Sequence, residues 1–423
     1  MKDYAGGTKA FLSDYRGNKM VIILLIFAGI WGCNMLNSDD QEKDKKENVI
    51  KWYKGSLHIH SYWSNGNEYP ENVVEWYKNN DYNFIALSEH NRLAEGNRWM
   101  EVLKGTYEET IFQDYLEKFG EEWVEYADLD SAYSVRLKTF DEYKEEYYEE
   151  EKFLLLQSEE IHDDYQGLPV HVNATNIQQE IEPQSGNSVL EVLQNNINTI
   201  LEQSKNLGTT ILPQVNHPNI DWAITADDMK QLEGVRFFEL FNGHPNARNS
   251  GDSNHPSTEE IWDEVNTYYV LNGKPLLYGL AVDDAQNYHA FKPEIPNPGR
   301  GWIQVRAAKL SHDSIFNALQ KGDFYSSTGV RLSDIQLRND TLIIKIDPEL
   351  GVNYKTQFIG TLTNDVETPG KILSEKDGIE PTYKITGNEL FIRAKVISDK
   401  KKENYIEEEE FEAAWIQPEK IAL

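Results

Sequence analysis

Apolar positions between residues 52 and 329 follow two alternating rhythms. Short, largely apolar runs at Ser56–Ser61, Phe84–Leu87, Phe153–Gln157, Val170–Ala174, Thr210–Val215, Val235–Phe241 and Leu276–Val282 read as strands. Between them, Pro70–Asn79, Ser188–Leu207 and Thr258–Leu271 carry apolar residues at helical spacing; in the first, Pro70 suits an opening turn and Val73, Val74 and Tyr77 share a face. Residues 98–152, acidic and rich in aromatics, read as a helical insertion. Strand followed by helix, repeated, predicts a parallel α/β domain over 51–329, and a barrel is one form of it. From Val330 the rhythm changes. Runs such as Thr341–Ile346, Tyr354–Phe358 and Leu390–Ile397 are separated by Gly, Asn, Asp and Pro, which predicts a small antiparallel β domain of sandwich type over 330–423.

One apolar stretch belongs to neither rhythm. Met20–Gly32 is unbroken, follows Arg16 and Lys19, and is short for a membrane span of roughly 20 residues. It fits the core of a signal peptide. Its end, Ile30-Trp31-Gly32-Cys33, resembles the bacterial lipobox, although Trp31 is bulkier than the usual residue there. Cys33 is the one cysteine of the chain, so no intrachain disulfide can form, and lipidation accounts for a lone thiol in an exported protein. Residues 1–33 are therefore read as a lipoprotein signal peptide and 34–50 as a polar tether. The acidic Ser38–Glu42 resembles a surface-export signal. The expected location is the outer membrane, anchored through Cys33 and facing either the periplasm or the cell surface.

The charge balance narrows the partners. Across 423 residues, 71 Asp and Glu outweigh 41 Lys and Arg, a formal charge of −30. Phosphate backbones are gripped by Lys and Arg, so long nucleic acid is a poor partner. Bound divalent cations fit such a balance, as does simple solubility.

Candidate chemistry clusters at the strand ends. His58-Ile59-His60 places two imidazoles on one face if the segment is extended. Two surface histidines would give the same spacing. His90 follows one predicted strand, Glu160 another and His217 a third, His171 opens a strand, and Asp283 and Asp284 follow the last. Reactive groups in α/β barrels sit at the C-terminal ends of strands. Imidazole with carboxylate is the ligand set of hydrolytic Zn, Mn or Fe centres.

The order of these motifs resembles the PHP (polymerase and histidinol phosphatase) family: His58-Ile59-His60, then Ser88-Glu89-His90, then Ser158-Glu159-Glu160, then the downstream histidines and Asp284. Asn216–Thr225, Phe237–Asp252, Gly299–Ala307 and Gly322–Gly329 look like a bacterial subgroup of it, and the likeness runs from about Lys54 to Pro418. The resemblance implies a distorted (β/α)7 barrel with two or three divalent metals. One metal would be held by His58, His60, Glu160 and Asp284; a second would share Glu160 and add His171 and His217. The implied activity is two-metal hydrolysis of phosphoesters, with Glu160, Asp284 and His217 central and no nucleophilic side chain.

Two positions depart from the family pattern. Asn65 stands where an aspartate is usual after H-x-H, and Gln286 where a histidine is usual after Asp284-Ala285. Both belong, with His90, to the third metal site of three-metal members, so that site is expected to be weak or absent and the two-metal core retained. His289 is a nearby substitute or a surface residue. Arg92 and Arg248 are candidates for binding a small phosphorylated substrate, and Glu239 and Asn242 for orienting ligands from behind. The competing expectation is an inert barrel that binds an extracellular ligand such as a glycan, for which Trp52, Trp63, Trp99, Trp123 and Trp222 supply aromatic surface.

Overall fold

The computed structural model of the chain describes residues 51–421. The signal peptide, Cys33 and the tether lie outside the described residues.

Among the described residues, nineteen strands and seven α-helices follow one another. The first half contains β1 (Lys51–Ser56), α1 (Pro70–Asn79), β2 (Phe84–His90), β3 (Trp99–Leu103), α2 (Tyr107–Phe119), β4 (Tyr126–Asp128), β5 (Ala132–Arg136), α3 (Phe140–Tyr147), β6 (Leu154–Tyr165), β7 (Leu168–Thr175), α4 (Val189–Leu207) and β8 (Leu212–Val215). The second contains α5 (Ala226–Gln231), β9 (Phe237–Asn242), α6 (Thr258–Leu271), β10 (Tyr278–Val282), β11 (Trp302–Ala307), α7 (His312–Lys321), β12 (Phe324–Ser327), β13 (Leu332–Arg338), β14 (Thr341–Ile346), β15 (Tyr354–Leu362), β16 (Lys371–Asp377), β17 (Thr382–Lys384), β18 (Glu389–Lys401) and β19 (Phe411–Lys420). Local sequence explains the helix limits. Pro70 opens α1, Thr139 and Glu142 form a capping box on α3, Ser257 and Glu260 do so on α6, and left-handed Gly208 closes α4.

Thirteen strands form one mixed sheet in the order β10-β9-β8-β7-β6-β2-β1-β11-β12-β19-β18-β15-β16. The expectation of a parallel sheet holds only for β1-β2-β6 and β8-β9-β10. The other pairs are antiparallel. The clearest departure is β6-β7, joined by Gln166-Gly167, both at positive φ, the conformation of a tight hairpin turn. A two-residue link cannot cross over to a parallel neighbour. Beyond the ends of β1 and β10 the chain meets again: Ile59 bridges Ala285 in parallel, Asp284 N–H donates to His58 O (3.0 Å), and His60 N–H donates to Ala285 O (3.0 Å).

Residues 98–152 are not purely helical. They combine α2 and α3 with a small antiparallel sheet, β3-β5-β4. The large sheet also runs through the boundary expected near residue 329, since β12 pairs with β19. The outer strand β10 is sealed from both directions by side chains of this region: Ser326 Oγ accepts from Ala281 N–H and donates to Gly279 O, while Gln417 pairs with both backbone groups of Gly279. Buried backbone groups left unpaired are costly, so these contacts stand in for a missing strand.

Candidate metal centre

The site grows from the ends of adjacent strands. His58 and His60 lie just past β1 rather than inside a strand, His90 is the last residue of β2, and Glu160 on β6 meets His171 diagonally across the β6-β7 hairpin, where His171 is registered with His162. His217 follows β8 and Asp284 follows β10. Asn91, His217 and Asp284 all have positive φ, a conformation that non-glycine residues adopt at a cost and that gathers at functional sites.

These residues converge on Glu160. The Nε2 atoms of His58 and His60 lie 3.1 Å apart, and each lies 3.1 to 3.4 Å from Oε2 of Glu160 and Oδ1 of Asp284. Four ligands around a tetrahedral cation with zinc-like bond lengths have donor atoms about 3.3 Å apart. The other carboxylate oxygen, Oε1, lies 2.9 Å from His171 Nδ1 and 3.4 Å from His217 Nε2, and those two nitrogens are 3.2 Å apart. His60, His90 and Glu160 form a third group, with His90 Nδ1 at 3.1 Å from Glu160 Oε2. Glu160 thus bridges all of it while 1 % exposed.

The protonation pattern shows what the cluster lacks. His58 Nδ1 is 2.6 Å from Glu239 Oε1, which fixes a proton on that nitrogen and leaves Nε2 with a lone pair aimed inward. His60 Nδ1 faces Ser64 Oγ at 3.3 Å, which turns its Nε2 inward as well. Two lone pairs 3.1 Å apart repel unless a cation lies between them. Among the described residues, no lysine or arginine pairs with Glu160, Asp284 or Glu239; their charged partners are all imidazoles. Burial opposes charge on His58, yet Asp284, Glu160 and Glu239 hold its pKa well above the usual value. His60 is likewise pushed up to about 9, against burial, by Asp284 and Glu160. Burial dominates at His90, which falls to about 3 despite Glu160. Burial alone would raise Glu160, but His58, His90 and His171 outweigh it and hold the carboxylate well below its usual range. The same carboxylates that favour a proton on His58 and His60 would favour a divalent cation between them. The donors fit a divalent metal in kind, number and spacing.

Glu239 organises the shell behind the ligands. Besides His58, it accepts from the His217 backbone N–H (2.8 Å), Gln214 Nε2 (2.7 Å) and Asn242 Nδ2 (2.8 Å). Asn242 also donates to Asp284 Oδ2 at 3.1 Å, and Asn216 to Glu160 Oε1 at 2.9 Å. Glu89 accepts from the backbone N–H and hydroxyl of Ser61 and from Ser64, which fixes the turn after His60.

Other expected residues stand apart. Asn65 is exposed, and its side-chain amide oxygen accepts from Ser64 Oγ at 3.4 Å. Gln286 Nε2 reaches Asp284 Oδ1 only at 3.5 Å. His289 pairs with Glu68 (3.2 Å) and the Asn67 carbonyl, not with the cluster. Arg92 folds back onto the His90 carbonyl at 3.3 Å, at the rim of the centre. Arg248 stacks on Trp222 and faces Asp221 at 3.5 Å, with no contact to any ligand.

Two histidines escaped the sequence reading. His162 packs 4.1 Å from the His171 ring and 4.8 Å from His90. The signal was present: two residues after Glu160 on one strand, it shares that face. Half-buried His244 follows Asn242 at the end of β9 and lies close enough to feel the charge of Asp284.

Fold and cluster together define a mixed α/β protein with a buried histidine–carboxylate centre of metal-ligand geometry. No family model and no curated protein matches the chain. Several solved structures align with it, among them two from bacteria. One is a two-domain protein from Bacteroides vulgatus containing a predicted PHP-like metal-dependent phosphoesterase: 14 % identity, 87 % of this chain and 95 % of the other covered, TM-score 0.40. The second, from Bifidobacterium adolescentis, is a provisionally assigned metal-dependent phosphoesterase: 10 % identity, 63 % and 96 % covered, TM-score 0.30. Likeness at these values lends no weight to fold or function, and the centre stands on its own geometry.

Proposed function

We propose that this protein is a metal-dependent phosphoesterase acting on small phosphomonoesters or nucleotides. The observation that carries the reading is Glu160 bridging two ligand groups, His58-His60-Asp284 on one carboxylate oxygen and His171-His217 on the other. His58, His60, Glu160 and Asp284 hold one divalent cation, and Glu160, His171 and His217 hold a second, of the Zn, Mn or Fe class. Such cations supply Lewis acidity, lower the pKa of water and offset charge on phosphoryl oxygens.

The chain's own part is orientation and charge. Glu239 fixes the His58 tautomer, Asn242 and Asn216 hold Asp284 and Glu160 in place, and His90, kept neutral by burial, lies beside the exposed His162. Arg92, at the rim, is placed to meet a phosphate. We further infer that β1, β2 and β6–β10 form a distorted barrel, drawn together where Ile59 meets Ala285. Export as a Cys33-anchored lipoprotein places the substrate outside the cytoplasm; metabolic labelling with palmitate, lost in Cys33→Ala, tests that step.

The direct test pairs metal analysis of the chain begun after Cys33 with release of phosphate from p-nitrophenyl phosphate in added Mn²⁺ or Zn²⁺. About two metals per chain and metal-dependent turnover are expected. A folded chain that takes up no metal and releases no phosphate would leave the inert, ligand-binding barrel as the better reading.

A further inference from the structure

A cleft of about 580 Å³ lies away from the metal centre and shares none of its ligands. Its floor is aromatic. Lys54 Nζ sits over Tyr82 at 3.9 Å and Trp302 at 4.3 Å, and donates to the Asn80 carbonyl at 3.1 Å. Beside it Trp76 and Phe291 lie nearly parallel, 6.5 Å between centroids and 25° between planes. Phe291 is 52 % exposed, a cost in unburied apolar surface that a bound ring would recover. Gly299, at φ +84°, keeps the indole face clear: a Cβ there would come within 3.0 Å of Trp76 Cη2.

The walls are held open by one buried guanidinium. Arg300, 1 % exposed and without a carboxylate partner among the described residues, donates to the carbonyls of Lys292 (2.8 Å) and Tyr405 (3.3 Å) and to Asn404 Oδ1 (3.1 Å). All three of those residues line the cleft, and they come from two segments far apart in the chain. Arg300 also donates to Gly243 O at 2.9 Å. A cavity held in shape this way loses little entropy when a ligand enters.

Charge selects the ligand. In a chain with 30 excess acidic residues, the cleft presents Lys54 and Lys292 against the single carboxylate of Glu403, and neither lysine forms an ion pair among the described residues. We propose that this cleft is a binding site for an acidic saccharide. The C–H face of a sugar ring packs on Trp76 and Phe291, and its carboxylate meets the ammonium groups of Lys54 and Lys292. The volume suits one or two sugar units.

The test is titration of the purified protein with a galacturonic acid tetrasaccharide and, in parallel, the uncharged galactose tetrasaccharide, followed by calorimetry. Saturable binding of the acidic probe, at least about tenfold tighter than the neutral one, is expected, because each charge-assisted hydrogen bond contributes roughly that factor or more. Lys54→Gln should weaken it about tenfold, and Phe291→Ala, on an exposed ring, about threefold. Should Lys54→Gln fail to fold, Lys292→Gln takes its place with the same expectation. Binding that is absent up to millimolar probe, equal for the neutral sugar, or unchanged in the folded variants overturns the proposal. Glu160→Ala, which disables the metal centre, should bind the acidic probe as the parent does, so this site and the phosphoesterase reading stand or fall separately.

Discussion

Two clusters of buried charge lie in this molecule, and they are built on opposite principles. Between α6 and β18, Arg393 grips Asp263 with two bonds of 2.6 Å and reaches Glu259 at 3.2 Å, while Lys395 donates to Glu259 at 2.5 Å. Two cations meet two carboxylates, and Trp262 packs 4.9 Å beneath the guanidinium. The cluster is complete in itself. At the metal centre the charged partners of Glu160, Asp284 and Glu239 are all imidazoles, two of which point Nε2 at one another across 3.1 Å. That cluster is incomplete until a cation enters. A buried charge is costly unless paired, so the self-satisfied group reads as architecture and the unsatisfied one as a site.

The largest expected effect breaks the incomplete cluster at its bridge. Glu160→Ala removes the one group shared by both cation positions. Metal content should fall from about two per chain to background, and metal-dependent phosphate release with it. Thermal unfolding of the metal-free variant should come at a lower temperature than that of the metal-free parent, because Glu160 is the carboxylate that pairs with the surrounding imidazoles. A metal-loaded Glu160→Ala chain would remove the basis for calling the cluster incomplete.

Breaking the complete cluster should do the reverse. Arg393→Ala strands Asp263 in the interior and is expected to cost about 3–5 kcal/mol of stability, read by denaturant unfolding. Metal per folded molecule should stay unchanged. Replacing the pair together, Arg393→Met with Asp263→Leu, should recover most of the loss, since apolar residues of similar volume often serve as well.

The two clusters also separate in acid. Metal entry must expel protons from His58 and from His60, whose pKa is about 9, so apparent metal affinity should rise as pH rises through 9 and fall below it. Burial would raise Glu259, but Lys395 and Arg393 outweigh it and hold it at about 2. A depressed carboxylate contributes stability above its unfolded value, about 4.3, that is lost as pH falls through 2. Metal release followed by metal analysis should therefore precede acid unfolding followed by circular dichroism. A single coincident transition would mean that the centre is part of what holds the fold.

A subtler lesion tests orientation at the centre. Glu239→Gln keeps the size of the side chain but weakens its hold on His58 Nδ1–H. Metal affinity should drop 10- to 100-fold with the ligands themselves intact, roughly the span seen for such supporting groups.

How far these clusters were legible in the sequence follows from their chemistry. The candidate ligands stood out because a metal centre needs a few residue types at strand ends, and His58-x-His60, His90, Glu160, His171, His217 and Asp284 are of those types; the structure brings them within reach of one another. Glu239 and Asn242 were readable from their place at the end of a strand. The Arg393–Asp263 pair was not: its partners lie 130 residues apart, and surface pairs have the same composition. The β6-β7 hairpin hid for a different reason. Its strands are apolar enough to pass for parallel ones, and Gln166-Gly167 is a weak turn signal beside Asn-Gly. The thirteen-stranded sheet depends on pairings such as β12 with β19, far apart in the chain, that no local pattern encodes.

The smallest expected effect concerns a residue that the family pattern would make important. Asn65 occupies the place of a metal-binding aspartate, and substitution there would be severe if the amide still held a cation. In the structure Asn65 is exposed, and its side chain has one contact, Ser64 Oγ at 3.4 Å, at the outer limit for a hydrogen bond. His60, which belongs to the candidate ligand cluster, is positioned instead by Ser64 and by the turn that Glu89 fixes through Ser61. Asn65→Ala leaves both supports in place and removes no group from the cation positions. Exposed substitutions of this kind usually change stability by no more than about 0.5 kcal/mol, and turnover and metal content should stay within about twofold of the parent by the same reasoning. Measured beside Glu160→Ala under the same metal, a variant as inactive as that one would move the working centre outward to the His60-His90 face, and the two-cation assignment on Glu160 would fall.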